Sequence, residues 1–152
     1  MTALLDRFFT RLPGVWTVAR TIEDSRIGAG RFDGVAIFSA DDPRTLAYQE
    51  NGELVFGDWR GPAYRRWRYQ YEGSALSIFY PGGETLLHRF EFNGDATAQH
   101  AHLCGPDQYC ATFTLDEADA FTLRYAVDGP AKRYVLNTIY RRDAGTGSPP
   151  AH

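Results

Sequence analysis

The chain has 152 residues, with 16 basic and 19 acidic side chains and a formal net charge of -3. That length suits one domain burying roughly 70% of its unfolded surface, enough for a core without metal or disulfide support. The acidic balance argues against bulk nucleic-acid binding, and no apolar run approaches membrane-spanning length.

Leu4, Leu5, Phe8, Phe9 and Leu12 recur at helical spacing, which predicts a short amphipathic helix over 3–12. Thr2 is its expected cap and Pro13-Gly14 its stop. Asp6, Arg7 and Arg11 interrupt the apolar residues there, unlike a secretory leader. After this helix the chain reads as strand, turn, strand. Strands are expected at 15–22, 31–38 and 45–50, with turns at Gly28-Ala29-Gly30 and Asp41-Asp42-Pro43. Asn51-Gly52 is a hairpin signal, and a short piece at 53–57 leads to a strand over 63–71. Further strands are expected at 75–80, 84–92, 96–104, 108–115, 120–127 and 133–141, separated by turns such as Pro81-Gly82-Gly83, Asn93-Gly94-Asp95 and Gly105-Pro106-Asp107. Residues 143–152, rich in Gly, Pro and Ser, read as a loose tail behind a single domain over 1–142.

Ten Phe, nine Tyr and three Trp suit pleated, half-buried surfaces. No helix is long enough to cross between parallel strands, so the class is all-β and antiparallel. About ten consecutive strands must hide their edges. An up-and-down barrel of eight to ten strands does so, and a sandwich is the competing solution. No internal repeat supports a propeller or a solenoid. Cys104 and Cys110 form no CxxC pair, and a reducing, cytoplasmic setting is the default.

Gly14-Val15-Trp16 follows the helix and opens the first strand, and Tyr140-Arg141-Arg142 ends the last. This arrangement resembles the calycin superfamily, the lipocalins and fatty-acid-binding proteins. The resemblance implies a lipocalin-like barrel whose floor is plugged by Trp16. It also implies an arginine from the last strand across the indole, for which Arg141 is the candidate, with Gly14 allowing the tight turn. The likeness to the nitrobindin-like calycins stops at Gly14-Val15-Trp16, because Thr17, Val18 and Ala19 stand where glycines are expected. More narrowly, the chain resembles domain of unknown function 6314. The carrying residues are Gly14-Val15-Trp16, Gly30-Arg31-Phe32-Asp33-Gly34 and Leu87-His88, then His102-Leu103-Cys104 with Asp107 and Tyr109. Gly129-Pro130 with Lys132 and Tyr134, and finally Tyr140-Arg141-Arg142, complete the likeness. Ala131 departs from the basic residue expected there. This family implies a fold and no activity.

The densest polar constellation lies between residues 88 and 109. His88 shares a face with Leu86, Phe90 and Phe92, so it points inward. His100, His102 and Cys104 share one face of the next strand. A three-residue loop at Asn93-Gly94-Asp95 sets His100 across from His88, and a two-residue loop brings Gln99, Ala101 and Leu103 there instead. Three imidazoles and a thiol are suitable zinc or iron ligands. The plainer expectation is an interior histidine paired with a neighbour, with no metal and no cofactor. Asp107 suits a turn bonding its own backbone, and Tyr109 shares its face with Ala111, Phe113 and Leu115. A second stretch places Arg65, Trp67, Tyr69 and Tyr71 on the inner face and Arg66 and Arg68 outside.

The leading expectation is a binding barrel, a monomer or homodimer, that takes a small, partly apolar, aromatic or carboxylate-bearing molecule without nucleic acid or membrane. Its ligand-binding residues are Trp67, Tyr69, Phe90, His102, Tyr109 and Phe113, with His88 and Arg65 orienting the polar end. The alternatives are a cofactor-free enzyme of isomerase, cyclase or dehydratase type using His88, His102 and Tyr109 for proton transfer, a haem or zinc barrel, and a solid-cored interaction module.

Overall fold

The computed structural model describes residues 3–82, 84–117 and 119–142. The cap expected at Thr2 and the tail expected over 143–152 lie outside them. A helix, α1 (Ala3–Arg11), precedes ten strands: β1 (Gly14–Asp24), β2 (Gly28–Asp42), β3 (Thr45–Phe56), β4 (Trp59–Glu72), β5 (Ala75–Phe79), β6 (Leu86–Glu91), β7 (Thr97–Cys104), β8 (Asp107–Glu117), β9 (Ala120–Asp128) and β10 (Arg133–Arg142). They form one antiparallel sheet in the order β6-β5-β4-β3-β2-β1-β10-β9-β8-β7, curled into a nearly closed barrel. Strands β1 and β10 pair from Trp16↔Arg142 to Asp24↔Tyr134, joining the two ends of the chain. No ladder joins β6 to β7 among the described residues, and side chains close this seam, with His88 and Phe90 packing against His100. No described helix is long and apolar enough to cross a membrane.

Alternation sets which side chains enter the barrel. Trp16, Val18 and Arg20 of β1 are buried while Thr17, Ala19 and Thr21 are exposed. Two expected turns lie inside strands. Asn51-Gly52 is in the middle of β3, where Gly52 pairs with Gly34 of β2. A Cβ on either glycine would strike the facing backbone, so this pair lets two strands approach closely instead of ending one. The chain turns later, at Gly57, whose φ of 58° lies in the left-handed region. Gly28-Ala29-Gly30 likewise belongs to β2. The turn before it is made by Asp24, whose carboxylate accepts from the backbone N–H groups of Arg26 and Ile27 at 2.8 and 3.2 Å.

Helix α1 seals one end. Phe8 packs edge-on against Phe113 and Phe121, and Phe9 stacks on Tyr71. Trp16 is 1% exposed, donates its indole N–H to the Leu12 carbonyl at 2.9 Å and meets Phe121 edge-on. The arginine across the indole is Arg142, its guanidinium carbon 4.3 Å from the ring centroid. Arg141, the expected partner, points to solvent. Parity explains the correction: Trp16 is directly opposite Arg142, on the inward side shared with Tyr140 and Thr138. Arg142 also donates to the carbonyls of Arg11 and Pro13, where the helix C-terminus favours a cation.

Candidate functional site

Above this floor the barrel is hollow. A cavity of about 710 Å³ opens at the end away from α1. Its apolar wall includes Leu54, Trp67, Ile78, Leu123, Tyr125 and Leu136, and Asp24, Phe56, Tyr80 and Tyr134 stand near its mouth, close to strand ends. Of the residues expected to bind a ligand, Arg65, Trp67, Tyr69 and His88 line it. Phe90 and Phe113 do not. Both are fully buried, in contact with each other at a ring separation of 5.3 Å, and belong to the packed half.

The base of the cavity carries charge. Arg20 of β1 is 5% exposed and Glu50 of β3 is 1% exposed. The Arg20 guanidinium donates to both Glu50 oxygens at 2.7 and 2.9 Å and, through Nε, to the Thr138 hydroxyl at 2.8 Å. Tyr48 donates its hydroxyl to Glu50 and shares a 3.0 Å hydrogen bond with the Tyr140 hydroxyl. Burial pushes the Glu50 carboxyl up, but the Arg20 hydrogen bonds and charge outweigh it and hold the pKa below the usual range. The Arg20 value is raised: burial works against the cation, and the Glu50 hydrogen bond with nearby charges overcomes it. Burial, first of all, pushes the Tyr48, Tyr69 and Tyr140 hydroxyls up, so they stay protonated. Arg65 lies across the β3–β4 ladder from Glu50, with its Nε 3.8 Å from the carboxylate, beyond hydrogen-bond reach.

The histidines form one wall patch that closes the β6–β7 seam. His88 and His100 bring their Nδ1 atoms to 3.2 Å, the facing expected for the three-residue loop, reached across a seam where no ladder pairs β6 with β7 among the described residues. His88 is 3% exposed, and its pKa is lowered to about 4, by burial first and by the other two imidazoles next. His102 stacks on Tyr109, whose hydroxyl accepts from the Lys132 ammonium at 2.9 Å, and Lys132 lies 3.5 Å from the Asp107 carboxylate. His102 and Tyr109 thus sit together outside the cavity lining, at the turns joining β7 to β8 and β9 to β10. Tyr125 packs against both His88 and Tyr109. Cys104 is exposed, and among the described residues no three His, Cys, Asp or Glu side chains are grouped to hold a metal ion.

The sequence reading missed Arg20, Glu50 and the tyrosines Tyr125, Tyr134 and Tyr140. The signal was present. Arg20 falls on the inward face with Trp16, Val18 and Ile22, and Glu50 falls on the face of Leu46, Tyr48 and Leu54. A charge on an apolar face needs a buried partner, and these two are each other's.

Residues 12–142 match a family described as "Family of unknown function (DUF6314)". Among curated proteins none matches the chain. Solved structures share the fold. The S-type phycobiliprotein lyase CPES from Guillardia theta is 10% identical with a TM-score of 0.62, over 91% of this chain and 92% of that one. EF1p2_mFAP2b bound to DFHBI is 16% identical with a TM-score of 0.52, over 91% of this chain and 100% of that one. The redesigned β-barrel mFAP1 bound to DFHBI is 19% identical with a TM-score of 0.51, over 90% and 99%. At these identities the likeness is one of fold.

Proposed function

The chain belongs to DUF6314, a family of unknown function, so its role rests on its own residues, and we propose that it is a binding barrel for a small, partly apolar molecule with an aromatic or carboxylate-bearing end. The observation that carries this reading is the hollow half itself: about 710 Å³, walled by aromatic and aliphatic side chains, with Arg65 and the buried Arg20–Glu50 pair at one end. Small-molecule sites have this make-up, a mostly apolar concavity with a few placed polar groups. Two of the structurally similar barrels are described as bound to DFHBI, and the third is a phycobiliprotein lyase, which agrees with small-molecule use of such a barrel. Kinship with the calycins is supported by the helix-capped floor, by Gly14-Val15-Trp16 opening β1, and by Arg142 over the indole.

A second reading, proton transfer on the bound molecule, is favoured by His88. It reaches the cavity wall as a neutral imidazole with a free lone pair, and because burial holds its pKa at about 4 it is a weak base, suited to an acidic proton of the bound molecule. His102 and Tyr109 act in that reading only on a part of the molecule that leaves the mouth.

The test is titration with 1-anilinonaphthalene-8-sulfonate beside native mass spectrometry of the purified protein. One dye per chain is expected, lost in Leu136→Trp, which fills the cavity from β10. Absence of dye uptake and of any retained molecule in the wild type overturns the reading.

A further inference from the structure

The interior charges do not cancel, and the residue that sets the remainder is Glu50. Three ionised groups meet at the base of the cavity, Arg20, Arg65 and Glu50. Glu50 is committed elsewhere: both its oxygens take the Arg20 fork, and one also takes the Tyr48 hydroxyl. Arg65 is left 3.8 Å away, and no side-chain hydrogen bond reaches it among the described residues. Two guanidiniums against one carboxylate leave a single positive charge at the base, carried by a side chain that is 43% exposed, and Arg66 and Asp24, which also line the cavity, add one charge of each sign and leave that remainder unchanged. Burial first, and neighbouring tyrosines after it, raise the Tyr125 and Tyr134 hydroxyls, and Arg65 is a smaller opposing influence on both.

Resting on the binding reading above, we propose that Glu50 is a charge-selecting residue and that the ligand is a singly charged carboxylate seated on Arg65. The physical argument is a comparison of three ligands of one shape. A monocarboxylate pairs with the planar fork of Arg65 and leaves no charge without a partner. A neutral analogue fills the same apolar space but forgoes that charge-assisted bond. A dianion, such as a phosphate monoester, brings one charge more than the site can match and sets it beside the buried Glu50 carboxylate, an arrangement that is strongly unfavourable away from water. Arg20 cannot supply the missing cation, because its fork is already closed on Glu50 and its Nε on Thr138.

The experiment is calorimetric titration of the full chain with 1-naphthoate, 1-naphthylmethanol and 1-naphthyl phosphate at pH 8. The wild type should take naphthoate about tenfold more tightly than either analogue, the worth of one charge-assisted hydrogen bond. Arg65→Met replaces a half-exposed side chain that the buried network does not need for folding. It should bring naphthoate and naphthylmethanol to within about twofold of each other, while naphthylmethanol itself still binds. Glu50→Gln raises the interior to two positive charges and should bring naphthyl phosphate up to or past naphthoate. If that variant fails to fold, Arg65→Met decides the carboxylate seat, and the wild type's preference for naphthoate over naphthyl phosphate decides the exclusion of a second charge, its absence overturning the role of Glu50. Equal binding of naphthoate and naphthylmethanol by the wild type, or discrimination that survives Arg65→Met, overturns charge selection and leaves the binding barrel standing. Binding of none of the three overturns both.

Discussion

The two halves of this barrel are built from the same alternating strands yet do opposite things with their interior. In the half capped by α1, Leu12, Trp16, Phe113 and Phe121 are 0–1% exposed, and Phe121 meets Trp16 edge-on and Phe113 in a stack. In the other half, Trp67, Leu123, Tyr125 and Leu136 face open space and are only partly buried. The border is the layer of Tyr48, Glu50, Arg20 and Tyr140, where polar groups satisfy one another before the space begins. Stability is concentrated in the floor. On the binding reading, recognition falls to walls that give up packing partners so that a guest can supply them.

One residue type placed in each half tests this division. Leu12→Ala, in the floor, should cost about 3–4 kcal/mol, and Leu136→Ala, on the cavity wall, no more than about 1 kcal/mol, both read from urea unfolding midpoints. Similar losses at the two positions would break the comparison.

The border layer comes next. Glu50→Leu leaves Arg20 buried and unpaired and should cost about 3–5 kcal/mol, whereas Arg20→Met combined with Glu50→Leu should recover most of that loss. A double variant as unstable as the single one contradicts the view that the pair is retained for charge placement rather than for stability.

A third prediction concerns the seam. The His88 pKa in the folded protein is about 4, below its usual 6.5, so between these values the unfolded chain binds more protons. Stability is therefore held above pH 6.5 and declines as pH falls toward 4, by roughly 3 kcal/mol in all. His88→Phe should flatten that slope in urea melts at stepped pH. A slope unchanged by the substitution sinks this account of the seam. The smallest effect is expected at the last strand. Arg142→Gln should lose about 1 kcal/mol with the contact to Trp16, and Arg141→Gln should be neutral.

Much of this was legible in the sequence. The helix, the all-β class and the inward faces of β1 and β4 follow from apolar spacing alone, because burial imposes periods of 3.6 and 2. On β6, His88 and Phe90 turn inward as expected, but Leu86 is exposed and Leu87 lines the cavity, because the β5–β6 register shifts there. Asn51-Gly52 misled for a local reason. Its dipeptide chemistry suits a turn, but Gly34 on the neighbouring strand reserves that site for close approach, which is a tertiary fact. The shift from Arg141 to Arg142 shows how one step in register turns a plug into a solvent-facing charge. The division between solid and hollow halves was not legible. Phe113 and Trp67 alternate inward alike, and only the height of each along the barrel decides whether α1 packs beneath it or open space lies beside it.

A crystal structure of the protein grown with 1-anilinonaphthalene-8-sulfonate puts the division itself to trial. The ring system should lie between Trp67 and Tyr125 with its sulfonate toward Arg65, above an undisturbed layer of Tyr48 and Glu50. Density for the dye on the outer surface alone, with Trp67, Tyr125 and Leu136 closed on one another, would contradict a barrel that is solid at one end and receptive at the other.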